Sequence, residues 1–396
     1  MKRQIVFSNS LFPCLSETFV FDQFEVLQQA GLDFHIVANH RPRDGDVHPR
    51  MRAIQTAVDY LSEASAAAVL SALWHSFTRH PWRFLKVIAQ APRSEETLKT
   101  TLAQIVGAAL IIQRYGQSRP LHIHSHFTYG ATAVALWAKR LAGIPYTITL
   151  HGSDLLFDQP ADLGSKLREA AGIVSISQFN IDHLAQHYPD IPNKRIRLIR
   201  MGIRPLHDQL PPRPTRQTQL RILSVGRLSV HKAQHDLIDA CARLRDQGIK
   251  FSCTIIGEGE LRSALSKQIQ NLKLEGQVEL AGARYHDEVL AAYGQYDLFV
   301  LSSITEGQPI VLMEAMRAGI PVIATTISAI PELIQDGGCL VPPADPAALA
   351  SAIAEFSRNP ELALAKTRRA AEIVKREYDL RENHLRFKAY LEEFTG

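Results

Sequence analysis

The chain has 396 residues, 46% hydrophobic and 21% charged, a balance that excludes a disordered chain and suits two domains with separate cores. Its net charge of +4 is mildly basic, but Lys and Arg are dispersed, and without a dense basic stripe interleaved with aromatics no nucleic-acid partner is expected. Cys14, Cys241, Cys253 and Cys339 show no CxxC spacing and read as reduced, packed thiols of a cytoplasmic protein, with neither a disulfide framework nor a metal site.

Short apolar runs alternate with amphipathic segments from end to end, the pattern of doubly wound parallel α/β sheets. Residues 4–8 predict the first strand, and that run is too short for a signal peptide. A helix is expected over 16–30, closed by Gly31. Glu17 either caps this helix or lines a ligand cleft, and capping is the favoured reading. A second strand follows at 33–38, and about residues 50–117 read as mostly helical. Within that region Trp74 to Lys86 mixes aromatics with Arg and Lys. It suits either a helix packed on the domain with a solvated basic face, or peripheral docking on a membrane surface. No apolar run reaches the roughly 20 residues of a bilayer span.

A strand at 121–124, a helix over 128–141 ended by Gly143, and strands at 146–150, 172–177 and 195–199 complete a first domain over 1–204. Residues 205–219 carry Pro205, Pro211, Pro212 and Pro214, lack an apolar period and read as a linker. A second α/β domain spans 220–380, with strands expected at 220–226, 251–256, 277–280, 297–301, 321–324 and 339–341. Helices start near Ala233, Pro346, Pro360 and Arg381. The last, over 381–396, is of the kind that often crosses back to the first domain.

Three clusters carry chemistry. After the strand at 297–301, Glu306 and Glu314 stand eight apart, and Pro309 suits a first helical turn. Gly307 permits close backbone approach, and the free amides of Ile310 and Val311 offer an anion site. A carboxylate further into that helix suits a ribose diol, although such a pair also occurs as ordinary helix-start and surface acids. After the strand at 220–226 comes Gly226-Arg227-Leu228-Ser229-Val230-His231-Lys232. A forked guanidinium and an ammonium at a strand's carboxyl end suit a diphosphate, or else form a solvated cationic loop. Gly257-Glu258-Gly259 follows the next strand and reads as turn geometry, since the third glycine of a dinucleotide fingerprint is missing.

Taken in order, Gly-Arg-Leu-(x)3-Lys at 226–232, Gly-x-Gly at 257–259 and Glu-Gly-x-Pro-(x)4-Glu-Ala at 306–315 resemble the donor-binding half of the retaining glycosyltransferase family 4. Pro331-Glu332-Leu333-Ile334 and Leu340 to Asp345 extend the likeness. Pro13 to Phe19, His124-Ser125-His126-Phe127 and His151-Gly152-Ser153-Asp154 resemble a branch acting in exopolysaccharide assembly, including colanic-acid-type transferases. Residues 40–118 match least.

The resemblance implies a GT-B fold: two Rossmann-like doubly wound domains facing across a cleft. It implies a nucleotide-sugar donor, with UDP favoured, and a saccharide or lipid-linked saccharide acceptor. Arg227 and Lys232 would hold the diphosphate and stabilise the leaving nucleotide without a metal or other cofactor. Glu314 would bind the ribose, and Glu306 would face the donor sugar. Residues Gly307, Gln308, Pro309, Ile310 and Val311 would contact phosphate or sugar, and the base would sit near Ala281 to Arg284. His151 would face the sugar from the first domain. His126 is either a cleft residue or a histidine satisfied in the core. Asp154 either orients His151 or lies on the acceptor side. Ala233 stands where the family often has glycine. A GT-B epimerase or phosphorylase, or a non-catalytic sugar-nucleotide-binding subunit, shares the scaffold and remains open at this point.

Overall fold

The structure, a computed structural model, describes residues 3–14, 17–43, 47, 49–117, 119–204 and 219–396. All of the expected linker except Gln219 lies outside them. The chain divides into two compact units, Met1–Met201 together with Arg381–Gly396, and Gly202–Leu380.

The first unit alternates strands and helices: β1 (Gln4–Leu11), α1 (Thr18–Gln29), β2 (Phe34–His40), α2 (Arg52–Gln55), β3 (Val58–Tyr60), α3 (Ala66–Arg79), α4 (Pro81–Gln90) and α5 (Leu98–Tyr115). Then come β4 (Leu121–His126), α6 (Gly130–Ala142), β5 (Tyr146–Leu150), α7 (Ser153–Leu156), α8 (Leu163–Glu169), β6 (Gly172–Ser175), α9 (Gln178–His187) and β7 (Ile196–Leu198). The second unit holds β8 (Leu220–Val225), α10 (Gln234–Asp246), β9 (Phe251–Ile256), α11 (Arg262–Asn271), β10 (Val278–Gly282), α12 (His286–Ala292) and β11 (Leu298–Leu301). It continues with α13 (Ile310–Arg317), β12 (Val322–Thr325), α14 (Ile330–Ile334), β13 (Cys339–Val341), α15 (Pro346–Arg358) and α16 (Pro360–Glu377), and α17 (Leu380–Glu392) closes the chain.

Local sequence explains where the elements begin and stop. Ser65, Thr97, Asp345 and Asn359 each accept a hydrogen bond from the third residue beyond them, which satisfies a helix-start amide that lacks an intrahelical partner. Pro346 and Pro360 take the first helical position, where a missing N–H is harmless. Gly143 ends α6 at φ 76°, a left-handed cap that suits glycine.

Strand order, among the described residues, is β3-β2-β1-β4-β5-β6-β7 in the first sheet and β10-β9-β8-β11-β12-β13 in the second. All pairings are parallel. This is the Rossmann order, extended by one strand in the first unit. Alternate strand residues feed cores on opposite faces. In the first unit Val6 packs with Ile123 and Ile148 on one face, and Ile5 and Phe7 pack with Phe24 and Phe387 on the other. In the second, Ile222 and Leu223 divide in the same way.

The three-residue edge strand β3 lies in a stretch whose pattern predicts helix. Residues 202–204 also group with the second unit, because Ile203 donates its amide to Tyr378 O at 2.9 Å. A Cβ on Gly202 would lie 2.3 Å from Leu380 Cα. Helix α17 packs with the first unit, where Phe387, Tyr390 and Leu391 enter its core. Among the described residues no helix is long and apolar enough to cross a membrane.

Candidate active site

Open parallel sheets bind ligands beyond the carboxyl ends of their strands, where strand order reverses. In the second unit that point lies between β8 and β11, the two strands that lead into the motifs read at 226–232 and 306–315. Their loops are joined: Ile304 N donates to His231 O at 2.9 Å, and Ser302 Oγ donates to Lys232 O at 3.0 Å. Thr305 Oγ1 lies 2.9 Å from His231 Nδ1. Lys232 Nζ donates to Glu306 Oε1 at 2.5 Å, and Ser303 Oγ donates to the same oxygen at 2.7 Å. The ammonium is thereby aimed by a buried carboxylate. Arg227 is exposed and belongs to none of the ion pairs among the described residues. Its carbonyl accepts from Gln234 Nε2 at 2.9 Å. Two cations against one acid leave the paired loops net cationic.

Gly257 and Gly259 act on backbone rather than ligand. A Cβ on Gly257 would sit 1.9 Å from Gly226 O, and one on Gly259 would sit 2.3 Å from Leu228 O. The turn is then tied down by Leu228 N donating to Glu258 O at 2.9 Å. Gly257→Ala is expected to lower the unfolding free energy by about 2–3 kcal/mol, measured by urea denaturation, because its φ of 152° and the backbone collision both oppose a side chain. Ala233 is buried and holds φ 45°, so its methyl occupies a left-handed position that glycine adopts more readily.

Glu314 is buried in the second turn of α13. Its Oε1 lies 2.6 Å from His286 Nε2 at the start of α12, and Tyr293 Oη donates to its Oε2 at 3.0 Å. Burial, and then the Glu314 charge, push the Tyr293 hydroxyl well above its ordinary range. Neither His286 nor Tyr293 belongs to a motif that marks it in the sequence. Pro309 is the cap residue of α13, one position earlier than expected, so the first helical amides are those of Ile310 and Val311. Gln308 is buried, and its Oε1 has no hydrogen-bond partner among the described residues. Arg284 is exposed in the loop between β10 and α12, and no hydrogen bond or ion pair among the described residues joins it to the acids. The whole arrangement can receive an anion between the two loops and a diol at the Glu314 carboxylate.

In the first unit the order reverses between β1 and β4. His126 ends β4, and its Nδ1 lies 3.1 Å from His151 Nε2, just beyond β5. The rings of Phe19 and Phe127 flank His151 at 5.0 and 4.2 Å. Burial holds both imidazoles below their ordinary range, His126 down to about 3, so the pair is neutral. Asp154 is fully buried, and its oxygens accept from the amides of His151 at 3.0 Å and Thr128 at 2.9 Å. It therefore orients the His151 backbone. Burial raises its carboxyl to about 6 against those bonds.

The capping role favoured for Glu17 needs correction. It sits at the cap position of α1, but its side chain makes no capping bond. Its carboxyl instead takes a hydrogen bond from the Cys14 thiol in a buried setting that raises it to about 7. Cys14, Cys241 and Cys253 are buried and Cys339 is half-buried, each as a thiol. Among the described residues no group of three or more His, Cys, Asp or Glu is placed to hold a metal ion.

Comparison with known proteins follows the same division. Residues 16–205 match the family described as "Glycosyltransferase Family 4", and residues 208–373 match "Glycosyl transferases group 1". The amylovoran biosynthesis glycosyltransferase AmsK of Erwinia amylovora is 31% identical over 389 residues, covering 90% of this chain and 91% of its own. WcaL of Escherichia coli strain K12, named for colanic acid biosynthesis, is 30% identical over 404 residues, covering 93% and 94%. Among solved structures, a glycosyltransferase from Rickettsia africae superposes with a TM-score of 0.73 at 18% identity, covering 100% of this chain and 98% of its own. Anabaena HepE in complex with UDP and glucose gives 0.68 at 17% identity, covering 99% and 100%.

Proposed function

The chain belongs to glycosyltransferase family 4, and we propose that it is a retaining, metal-independent hexosyltransferase using a UDP-sugar donor. It is a glycosyltransferase of exopolysaccharide biosynthesis, and the acceptor we assign is a saccharide or lipid-linked saccharide. The observation that carries this reading is the joining of two ligand-suited loops at the strand-order reversal of the second sheet, with Lys232 fixed on Glu306. The UDP bound in the HepE complex supports the choice of nucleotide.

In this proposal Arg227 and Lys232 take up charge on the departing diphosphate, as fixed positive groups do for developing anions. The amides of Ile310 and Val311, with Gly307 and Gln308 beside them, bind phosphate or sugar. Glu314 accepts from the ribose hydroxyls, held in place by His286 and Tyr293, and Arg284 lies on the base side. Glu306 aims Lys232 and faces the sugar. The carboxyl edge of the first sheet, with Glu17, His126, His151 and Asp154, is assigned to substrate contact. His151 is the direct contact there, and Asp154 is a positioning residue. The sugar–diphosphate bond breaks as the acceptor oxygen bonds the same carbon on the same face, and the acceptor's proton passes to the leaving phosphate.

Glu314→Gln tests the ribose assignment. It should weaken UDP binding about tenfold or more by calorimetry, since a charged hydrogen bond becomes a neutral one. Unchanged affinity would remove the role. Product anomeric configuration, followed by NMR, tests retention: an inverted linkage would contradict it.

A further inference from the structure

The first unit carries a second basic locus, at the opposite edge of its sheet from His126 and His151. A cavity of about 490 Å³ opens where β4 and β5 begin, lined in part by Arg3, His75, Arg79, His80 and Arg119. Among the described residues no Asp or Glu lines it. None of the ion pairs among the described residues involves Arg79, Arg83, Lys86 or Arg119. Arg83 adds to the same charge, since a Cβ on the cavity residue Gly143 would lie 2.5 Å from its Nη1. His80 records the crowding: burial first, then Arg83, His75 and Arg79, push its imidazole below the ordinary range.

Beside the cavity, α3 and α4 form a hairpin that shares His80 as a cap. It leaves large apolar side chains in water: Trp82 is 83% exposed, Leu70 68%, Trp74 67% and Leu85 52%. Phe77 bridges the two helices, its ring 5.9 Å from Trp74 and 5.7 Å from Phe84. Apolar side chains on this scale next to unpaired cations fit a partner that is apolar within and anionic at its surface.

We propose that this hairpin and cavity dock the protein on an anionic membrane surface, a lipid headgroup phosphate entering the cavity while Trp74, Trp82 and Leu85 enter the headgroup–acyl boundary. The cavity lies at the amino end of β4 and His126 at its carboxyl end, about 17 Å apart at the rise of a parallel strand. A lipid held here is therefore an anchor and not the reacting acceptor. The inference does not rest on the sugar-transfer reading, and its test needs no turnover.

The experiment is co-sedimentation of the full chain with vesicles of phosphatidylcholine alone or with about one-third phosphatidylglycerol, a strongly anionic surface. The wild type should partition onto the anionic vesicles and only weakly onto neutral ones. Arg79→Ala with Arg119→Ala should lower that partitioning about thirtyfold, two surface cations being removed, and the double Lys variant should restore it. Trp74→Ala with Trp82→Ala should release the protein as well. All four side chains are exposed, so thermal melts should match the wild type. Equal binding to neutral and anionic vesicles, or variants that bind like the wild type, would overturn the proposal. So would tight binding of inorganic phosphate by calorimetry without vesicle binding, which would mark a soluble-anion site.

Discussion

Arg227→Ala and Lys232→Ala are each expected to lower kcat/KM for sugar transfer by about 10²–10³, the usual loss when one fixed group facing a developing anion is removed. The two variants should differ in a second respect. Arg227 is exposed and outside the ion pairs among the described residues, so its removal should leave thermal stability unchanged. Lys232 lies on the buried Glu306 carboxylate, so its removal strands a buried charge and should also lower the melting temperature. Lys232→Arg should keep the charge but misplace it, since a planar fork replaces a point charge 2.5 Å from Glu306. Activity of Arg227→Ala within about twofold of wild type would remove the diphosphate assignment.

Acid is expected to destabilise the first unit through a ladder of buried histidines. His122 Nε2 and His124 Nδ1 both meet Thr147 Oγ1, at 2.9 and 2.8 Å, and His124 Nε2 meets Thr149 Oγ1 at 3.0 Å. Burial, with Arg3 beside His122 and His384 beside His126, lowers each of these two imidazoles from 6.5 to about 3. His124 and His151 move the same way. Below pH 6.5 the unfolded chain takes up protons that the folded chain refuses, so stability falls as pH drops toward 3. The slope is about 1.4 kcal/mol per pH unit for each histidine.

Glu17 and Asp154 oppose this, because their folded values near 7 and 6 lie above 4.5 and 3.8. They add stability as pH falls through that window, and the gain ends near pH 4. At pH 5 the two carboxyls roughly balance His122 and His126, at about 4 kcal/mol on each side. His124 and His151 then set the sign. Urea unfolding should show a gradual loss from pH 6.5 to 4.5 and a steeper one below it. Stability that stays flat or rises to pH 4 would contradict the ladder's role.

Much of this architecture was legible because strand and helix periods differ and Gly or Pro marks most boundaries. Strands β5, β9 and β13 begin and end where the apolar runs do. Strand β3 was not legible: Val58–Tyr60 is too short to show a period, and its pairing with β2 is set by tertiary contact. The acids and cations of the donor loops stood out as residue types after strands. Their partners did not. His286 and Tyr293 reach Glu314 from 28 and 21 residues away, and only the tertiary fold, which brings the start of α12 and the turn after it to α13, puts them there. Lys232 meets Glu306 across 74 residues because β8 and β11 pair and bring their following loops together. Glu17 failed as a cap because burial and Cys14, neither visible in spacing, turned its carboxyl elsewhere.

The most direct test of the central claim is a calorimetric titration of the wild-type chain with UDP-, GDP- and ADP-sugars, repeated with Lys232→Ala. The account predicts saturable binding of a UDP-sugar that weakens at least tenfold in the variant. Binding of no nucleotide-sugar, or binding indifferent to Lys232, would contradict it.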